Sequence, residues 1–562
     1  MLPQRNPVTS MTPLPTGLPL PLPRIQHDFA QNSETWRERY TREKRQATVK
    51  HSFEHAWNGY KKHAWMQDEV MPVSGSFRNV FGGWGATMVD SLDTLAIMGL
   101  DRDFELVLDA LDDIDFSSVG ADVVNVFETT IRYLGGLLSA YDLTDRRHSK
   151  LLEKAKEIGD MLYVAFDTPN RMPVPRWRWK NGALSGPQES PSQVLLAELG
   201  SLSLEFTRLS QLTRNPKYYD AIQRISDELE ASQNKTRIPG LWPMTVNGKK
   251  MMFTADRTFT FGGMADSLYE YLAKEFMLLG GLHDQYRRMY EFAIDTAKKY
   301  LFFRPLNEQN AELLLAGTAR GTVAGRVKLD PQAQHLACFT GGMVGIGARL
   351  FDRPEDLSVA RQLTDGCIWA YESMPAGVMP EIFWAVPCGI DTTGDEGEMV
   401  EAAPESCEWS VDKWMRGVRE FHNRRAGPND VGMTETGAVR YSKKHRLAPG
   451  FTDISDGRYN LRPEAIESVF IMYRITGDRT LQDKAWEMFS AIDEATRTNV
   501  GNAGLKDVTS KSNVLLDNCE SFWTAETLKY FYLIFAEPDV VSLDDFVFNT
   551  EAHPLKRPSV GS

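Results

Sequence analysis

The sequence is poor in cysteine, in long apolar runs and in positive charge. Five cysteines in 562 residues exclude a disulfide-built scaffold and leave room for one or two bridges in an oxidising compartment. No apolar stretch approaches the roughly 20 residues needed to span a membrane. Acidic side chains outnumber basic ones, 76 to 63, for a formal net charge of −13, so neither nucleic acid nor an anionic membrane surface is an expected partner. Common catalytic signatures are missing too: there is no H-E-x-x-H for zinc, no G-x-S-x-G elbow and no GK[ST] phosphate loop. The stretch DTTGDEGE from Asp391 has neither the glycine at position six nor the glutamate at position twelve of an EF-hand loop. The N-terminal MTPLPTGLPLPLP alternates leucine with proline. That pattern excludes a helical signal or anchor and predicts an extended, flexible leader over residues 1–30.

What is present is a core and a repeat. Hydrophobic residues make up 42% and aromatics 10%, enough for a large core. From about residue 31 helical periodicity dominates and alternating strands are scarce. One arrangement recurs: an apolar helix, a short turn, then an amphipathic helix. TIRYLGGLLSAYDLTDRRHSKLLEKAKEIGDML turns at Thr144-Asp145, LGSLSLEFTRLSQLTRNPKYYDAIQRISDEL around Arg214-Asn215, and IESVFIMYRITGDRTLQDKAWEMFSAI at Gly477. In the last of these Ile466, Val469, Phe470 and Tyr473 share one helical face, as do Ala485, Met488, Phe489 and Ile492. Weaker copies begin near Asp90, Asp266, Gly341 and Glu526, which makes seven hairpins. The more apolar first helix of each is expected inside and the charged second helix outside, so that the hairpins close into an (α/α) toroid around one funnel. GMVGIG reads as helix packing and GTARGTVAG as a loop. Residues 388–460 are polar, glycine-rich and non-periodic, and are expected to form a long, partly ordered insertion on the rim. The domain reading is a leader at 1–30, one barrel over 31–555 and a tail at 556–562.

Acidic residues recur where the inner helices begin: Asp90, Asp93, Glu128, Glu198, Asp266, Glu464 with Glu467, and Glu526. Each alone has an ordinary explanation, because a carboxylate in a first helical turn is stabilised by free N–H groups and the helix dipole. Glu128 and Arg132 also have the spacing of an i,i+4 ion pair. In a toroid, however, these side chains converge on one cavity, which is what an inverting glycosidase requires: one acid for the leaving oxygen and one carboxylate for a water. Trp84, Phe522 and Trp523 are candidate sugar platforms, with core packing the commoner fate of such residues.

Seven ordered blocks carry a family resemblance: GGWGATMVDSLDTLAIMGL, VFETTIRYLGGLLSAY, GGMADSLYEYL, QHLACFTGGM, LRPEAIESVFIMYRITGD, ESFWTAETLKYFYLIF and VFNTEAHPL. Together they resemble the class I α-1,2-mannosidases, glycoside hydrolase family 47, over about residues 50–555. The resemblance implies an all-α (α/α)7 barrel whose floor is plugged by a C-terminal β-hairpin. It further implies a calcium-dependent, inverting glycosidase that removes terminal α-1,2-linked mannose from high-mannose N-glycans on glycoproteins. By the same comparison Glu128 is the acid, Glu464 the base and Asp266 a third essential carboxylate. Thr550 would ligate Ca2+ through its hydroxyl and carbonyl, with Glu467, Glu526 and Glu551 holding waters around the ion. Arg132, Glu198, His335, Glu381, Arg462 and Phe522 would contact sugar or orient the carboxylates.

Further implications follow from the same match. Cys338 and Cys367 correspond to the family disulfide; Cys388 and Cys407, both in the insertion, are left as a candidate second pair, which would leave Cys519 free. Met264 stands where ER-type members that remove a single mannose carry arginine and Golgi-type members carry a small or apolar residue, so trimming of several mannoses is expected. A monomer in the ER or Golgi lumen, or secreted, is expected, with Asn234-Lys-Thr236 as its N-glycan acceptor. The rival reading is a lectin-like, non-catalytic relative that binds mannose glycans in quality control. The intact FNTEAHP and the three retained carboxylates speak against it.

Overall fold

Helix burial separates two kinds of helix along the chain. In the helix Glu464–Thr476, residues Ala465 to Ile475 are buried without a break, whereas its partner Thr480–Thr496 buries only Leu481, Gln482, Ala485, Met488, Phe489, Ile492, Ala495 and Thr496. The first can only sit between other elements; the second has the one-sided stripe of a surface helix. The computed structural model describes residues 4–31, 34–116, 118, 120–178, 186–322, 325–388, 407–427, 431–512 and 514–558. It begins with a long helix, α1 (Trp36–His63). Five hairpins follow: α2 (Leu92–Ile97) with α3 (Asp101–Ala110), α4 (Gly135–Leu143) with α5 (Ser149–Tyr163), α6 (Ser203–Thr213) with α7 (Lys217–Gln233), α8 (Asp266–Leu278) with α9 (Gln285–Tyr300), and α10 (Thr340–Leu350) with α11 (Pro354–Glu372). After α12 (Val411–Arg425) and α13 (Glu435–His445) come the sixth hairpin, α14 (Glu464–Thr476) with α15 (Thr480–Thr496), and finally α16 (Leu528–Phe535), which takes α1 as its outer partner. Each first helix packs on the next, and the turn before α16 packs back on α2, so seven hairpins form a closed (α/α)7 barrel.

The turns lie where the sequence places them, closed by left-handed residues: Asp145 (φ 50°), Arg214 (φ 55°) and Gly477 (φ 71°). Two inner helices open with a π-helical turn, Thr129–Leu134 before α4 and Trp523–Thr527 before α16. Such turns are frequent at functional sites, because an extra residue in the helical ladder re-aims side chains. The C-terminal strands Phe546–Phe548 and Pro554–Lys556 pair antiparallel and pack against α4 and α8, plugging one end of the barrel. GMVGIG lies within α10, packed as expected.

The structure corrects the reading of the leader and of GTARGTVAG, and fills in the partly ordered insertion. The leader is held along residues 4–31 rather than flexible: Arg5 N–H bonds Asp167, Thr12 N–H bonds Asp220, Leu20 N–H bonds the Gly280 carbonyl, and Ile25 is fully buried. Proline keeps this segment extended, and its remaining N–H groups meet acceptors at the turns of the outer helices. The 388–460 insertion contains α12, α13 and the strand Phe451–Asp456. Ser410 and Thr434 cap the two helices, accepting N–H bonds at 3.1 Å each from Lys413 and Gly437. Residues 389–406 and 428–430 of this insertion lie outside the described residues. GTARGTVAG, expected as a loop, supplies the strand Thr318–Gly321 at the centre of a three-stranded sheet with Thr258–Thr260 and Val327–Asp330.

Cys338 and Cys367 form a disulfide with Cα atoms 6.0 Å apart, tying the turn before α10 to α11. Cys388, Cys407 and Cys519 are free thiols, so the candidate second bridge is not formed, although the Cys388 thiol lies in hydrogen-bond contact with Cys407. The Cys338–Cys367 link closes a loop with a sequence separation of 29. Opening it by Cys338→Ala with Cys367→Ala is expected to remove roughly 3–4 kcal/mol of stability, read as a lower denaturant midpoint at unchanged m-value.

Candidate active site

A cavity of about 300 Å³ is lined from most of the inner helices and from the turn of the C-terminal hairpin. Glu128 and Arg132 come from the entry to α4, Glu198 from the short helix Leu196–Gly200, Asp266 from the first turn of α8, and Glu464 and Glu467 from the first turn of α14. Phe522 and Glu526 come from the π-turn before α16, and Thr550 and Glu551 from the turn of the terminal hairpin. Arg462, just before α14, completes the wall; the left-handed Leu461 (φ 64°) turns the chain so that it reaches there. His335 and Glu381 are not on the wall but directly behind it. His335 donates from Nδ1 to Glu464 Oε2 at 2.8 Å, and its Nε2 lies 2.7 Å from the Tyr371 hydroxyl. Glu381 accepts from Arg462 Nε and from the Asn460 N–H, the latter at 3.0 Å. His335 N–H also bonds the Glu381 carbonyl, so adjoining strands set both residues.

The carboxyls divide by environment. Burial alone would raise Glu464, but the His335 hydrogen bond and the nearby charges of His335 and Arg462 outweigh it and hold the group below its ordinary value. Burial lifts Asp266 to about 7 against an N–H bond from Ser267, with Glu270 and Glu464 adding to the rise. Burial also raises Glu198 despite its ion pair with Arg176. At the bottom, burial and like charge raise Glu467, Glu526 and Glu551 together. Among the described residues two cations pair with this group. Arg132 bridges Glu128 and Glu551 at 2.9 Å each and lies over Phe522 at 5.6 Å. Lys274 pairs with Glu270 and reaches Glu467 at 3.5 Å.

Beneath the cavity the terminal turn is tied down by a buried polar network. Asn549 Oδ1 accepts from the N–H groups of Glu551 (2.9 Å) and His553 (2.8 Å), while its Nδ2 donates to the Ile131 carbonyl (3.0 Å) and to Glu205 (2.7 Å). His553 sits between Asp90 (3.0 Å) and Asp93 (2.8 Å), and Lys529 donates to the Ala552 carbonyl at 2.7 Å. Gly135 and Gly136 make the approach possible: a Cβ on Gly135 would lie 2.7 Å from Asn549 Nδ2, and one on Gly136 2.7 Å from the Val89 carbonyl.

Asp90 and Asp93, read from the sequence as cavity carboxylates, therefore belong to this floor and do not line the pit. Trp84 and Trp523 are core residues; of the three candidate platforms only Phe522 reaches the cavity. Sequence reasoning passed over Glu270, Arg176, Tyr371, Glu205 and Lys529. Glu270–Lys274 had a visible i,i+4 spacing, but nothing in the sequence tells an inward pair from the many outward ones.

The description "Glycosyl hydrolase family 47" matches residues 52–557. The chain belongs to this family. Among similar proteins, the "Endoplasmic reticulum mannosyl-oligosaccharide 1,2-alpha-mannosidase" of Rattus norvegicus is 34% identical, over 93% of this chain and 70% of that protein. The "Probable mannosyl-oligosaccharide alpha-1,2-mannosidase 1B" of Aspergillus clavatus is 32% identical, over 96% of this chain and 97% of that protein. The solved structure of the α-1,2-mannosidase from Trichoderma reesei superposes with a TM-score of 0.77 at 31% identity, covering 91% of this chain and 99% of that one. In this family 47 chain, no described helix is long and apolar enough to cross a membrane.

Proposed function

We propose that the protein hydrolyses terminal α-1,2-linked mannose from high-mannose N-glycans, with inversion, as a step in N-glycan processing of glycoproteins. The observation that carries the reading is the convergence of Glu128, Asp266 and Glu464, from three separate inner helices, on one cavity. Glu464, held as an anion by His335 and Arg462, is the group suited to take a proton from the attacking water. As the bond from the anomeric carbon to the leaving oxygen breaks, that oxygen takes a proton from Glu128 or from Asp266. Burial raises Asp266 to about 7, so that it keeps a proton well above the ordinary carboxyl range, whereas Glu128 shares the Arg132 guanidinium. Arg132, stacked on Phe522, and Arg462 offer fixed donors to sugar hydroxyls. The relatives' names, all hydrolases, favour this reading over the lectin-like one.

A calcium ion fits the donor chemistry at the cavity bottom. Thr550, Glu467, Glu526 and Glu551 present only oxygen, and their carboxylates outnumber the cations beside them. Among the described residues no three His, Cys, Asp or Glu side chains converge to cage an ion directly. As the family resemblance implies, the Thr550 hydroxyl and carbonyl would hold it, with the three glutamates acting through water. When bound, the ion would polarise and clamp vicinal sugar hydroxyls.

Met264 supports trimming of several mannoses: it lines the cavity mouth, is 50% exposed, and holds φ at 79° with its carbonyl bonded to Ala197 N–H. It offers no charged donor that would select one branch. The named relatives and the Cys338–Cys367 disulfide support a secretory-pathway lumen or secretion as its location. The test is a time course on a labelled nine-mannose glycan with and without a calcium chelator, alongside a thermal melt in both conditions. Products below eight mannoses, loss of turnover by at least about tenfold on chelation, and a lower Tm without calcium are expected. A halt after one cleavage refutes the specificity, and identical rates and melts with chelator refute the metal.

A further inference from the structure

A second cavity, of about 450 Å³, lies on the rim and has no part in the site above. Its walls carry four cations, Arg320, Lys328, Arg424 and Arg425, against one carboxylate, Asp330, with the partly exposed Pro331 and Pro387 as apolar surface. In a chain of net charge −13 this local excess of positive charge is unusual. Arg320 and Lys328 are directly opposite each other on the antiparallel strands Thr318–Gly321 and Val327–Asp330. Like charges in that position repel and destabilise the pair unless something anionic lies between them.

The single carboxylate is already committed. Asp330 accepts from Trp384 Nε1 at 2.7 Å and from Arg425 at 3.3 Å. Arg425 is in turn fixed over the rings of Phe421 (3.9 Å) and Trp384 (4.4 Å). No ion pair holds Arg320, Lys328 or Arg424 among the described residues; partial burial lowers Arg424 below the ordinary guanidinium value, and the nearby carboxylates of Glu420 and Asp330 offset only part of that. Three cations with no ion pair among the described residues, around a partly apolar cavity, form a dianion site with room for more than the anion itself.

We propose that this rim cavity binds a sugar phosphate monoester, the phosphate between Arg320, Lys328 and Arg424 and the sugar ring against Pro331 and Pro387. Arginine forks match phosphate oxygens, and the volume suits a hexose beside the phosphate. The strand that carries Lys328 runs on through Pro331 and Gln332–Gln334 to His335 behind Glu464, so the cavity shares its rim scaffold with the catalytic pit. The proposal does not depend on the hydrolytic reading.

The test is calorimetric titration of the full chain with mannose 6-phosphate, with inorganic phosphate, with mannose and with hexaglutamate, repeated on a Lys328→Glu, Arg424→Glu double variant. Turnover of a neutral high-mannose glycan serves as the folding control, since neither residue touches the catalytic pit. Mannose 6-phosphate is expected to bind one-to-one, at least about tenfold tighter than inorganic phosphate or hexaglutamate. The double variant should lose that binding at least about tenfold while turnover on the neutral glycan is unchanged. A phosphorylated high-mannose glycan added as a further arm separates a glycan-borne phosphate, which should then bind tighter than the free sugar phosphate, from a small metabolite, which should not. Equal heats from wild type and variant overturn the proposal, as does tighter binding of hexaglutamate, which would make this an acidic-peptide site. The acidic residues Asp391, Asp395, Glu396, Glu398, Glu401 and Glu405 follow Pro387 closely in sequence. Should mannose 6-phosphate bind only after those six become Asn or Gln, the cavity serves its own chain and the proposal fails.

Discussion

Glu464→Gln is expected to lower kcat by roughly 10²–10⁴-fold while the fold and sugar affinity persist. The substitution keeps the side-chain shape and an oxygen that can accept from His335 Nδ1. It removes the negative charge, and an amide oxygen cannot take a proton from water. Arg462 is not left unpaired by the change, because Glu381 already accepts from its Nε. A buried charge stripped of every partner would destabilise the barrel by several kcal/mol; here that penalty is avoided. Turnover on a labelled glycan, together with calorimetric binding of a mannose disaccharide that the variant leaves uncut, separates chemistry from binding. A kcat within about tenfold of wild type would mean that another group activates the water.

The second large effect has opposite signs for activity and stability. Asp266→Asn is expected to abolish most turnover and yet to stabilise the protein at pH 8. Burial raises the carboxyl from an ordinary 3.8 to about 7, so the folded state holds the proton more tightly than the unfolded chain. The stability this contributes is fully present below about pH 3.8 and is lost as pH rises through about 7, where the buried group must ionise. At about 1.36 kcal/mol per pKa unit, screened by water at the cavity wall, the loss amounts to roughly 2–4 kcal/mol. Asparagine keeps the oxygen that accepts from Ser267 N–H at 2.9 Å and carries no charge to bury. The variant should therefore melt a few degrees above wild type at pH 8 and level with it near pH 3.5. If Asp266 supplies the catalytic proton, wild-type kcat/KM should also fall above about pH 7. A variant less stable than wild type at pH 8 would show that the Asp266 charge is compensated in the folded protein.

The legible parts of this protein are those in which a local pattern has one physical outcome. Continuous burial from Ala465 to Ile475 beside the one-sided stripe of Thr480–Thr496 follows from apolar spacing alone, and so do the turns at Arg214 and Gly477. The leader misled because proline reports an extended backbone but not whether acceptors such as Asp167 and Asp220 wait beside it. The helices of the partly ordered insertion could not be placed because α12 buries just Met415, Val418 and Phe421, a stripe too thin to stand out in a polar, glycine-rich stretch. The acidic residues show the limit most clearly. Asp90 and Glu464 both open inner helices, but one is locked to His553 under the floor and the other faces the cavity.

The sequence by itself determined the seven-hairpin repeat, its inner and outer helices and, through its ordered motifs, membership of family 47. These follow from periodicity and residue identity, which are properties of the chain read in order. Only the tertiary structure decided which carboxylates share a cavity, which of them are anions, that Gly135 lets Asn549 seat the terminal turn, and that four rim cations surround one aspartate. Those outcomes depend on distances between residues hundreds of positions apart, and burial and Coulomb energies are set by such distances rather than by sequence spacing.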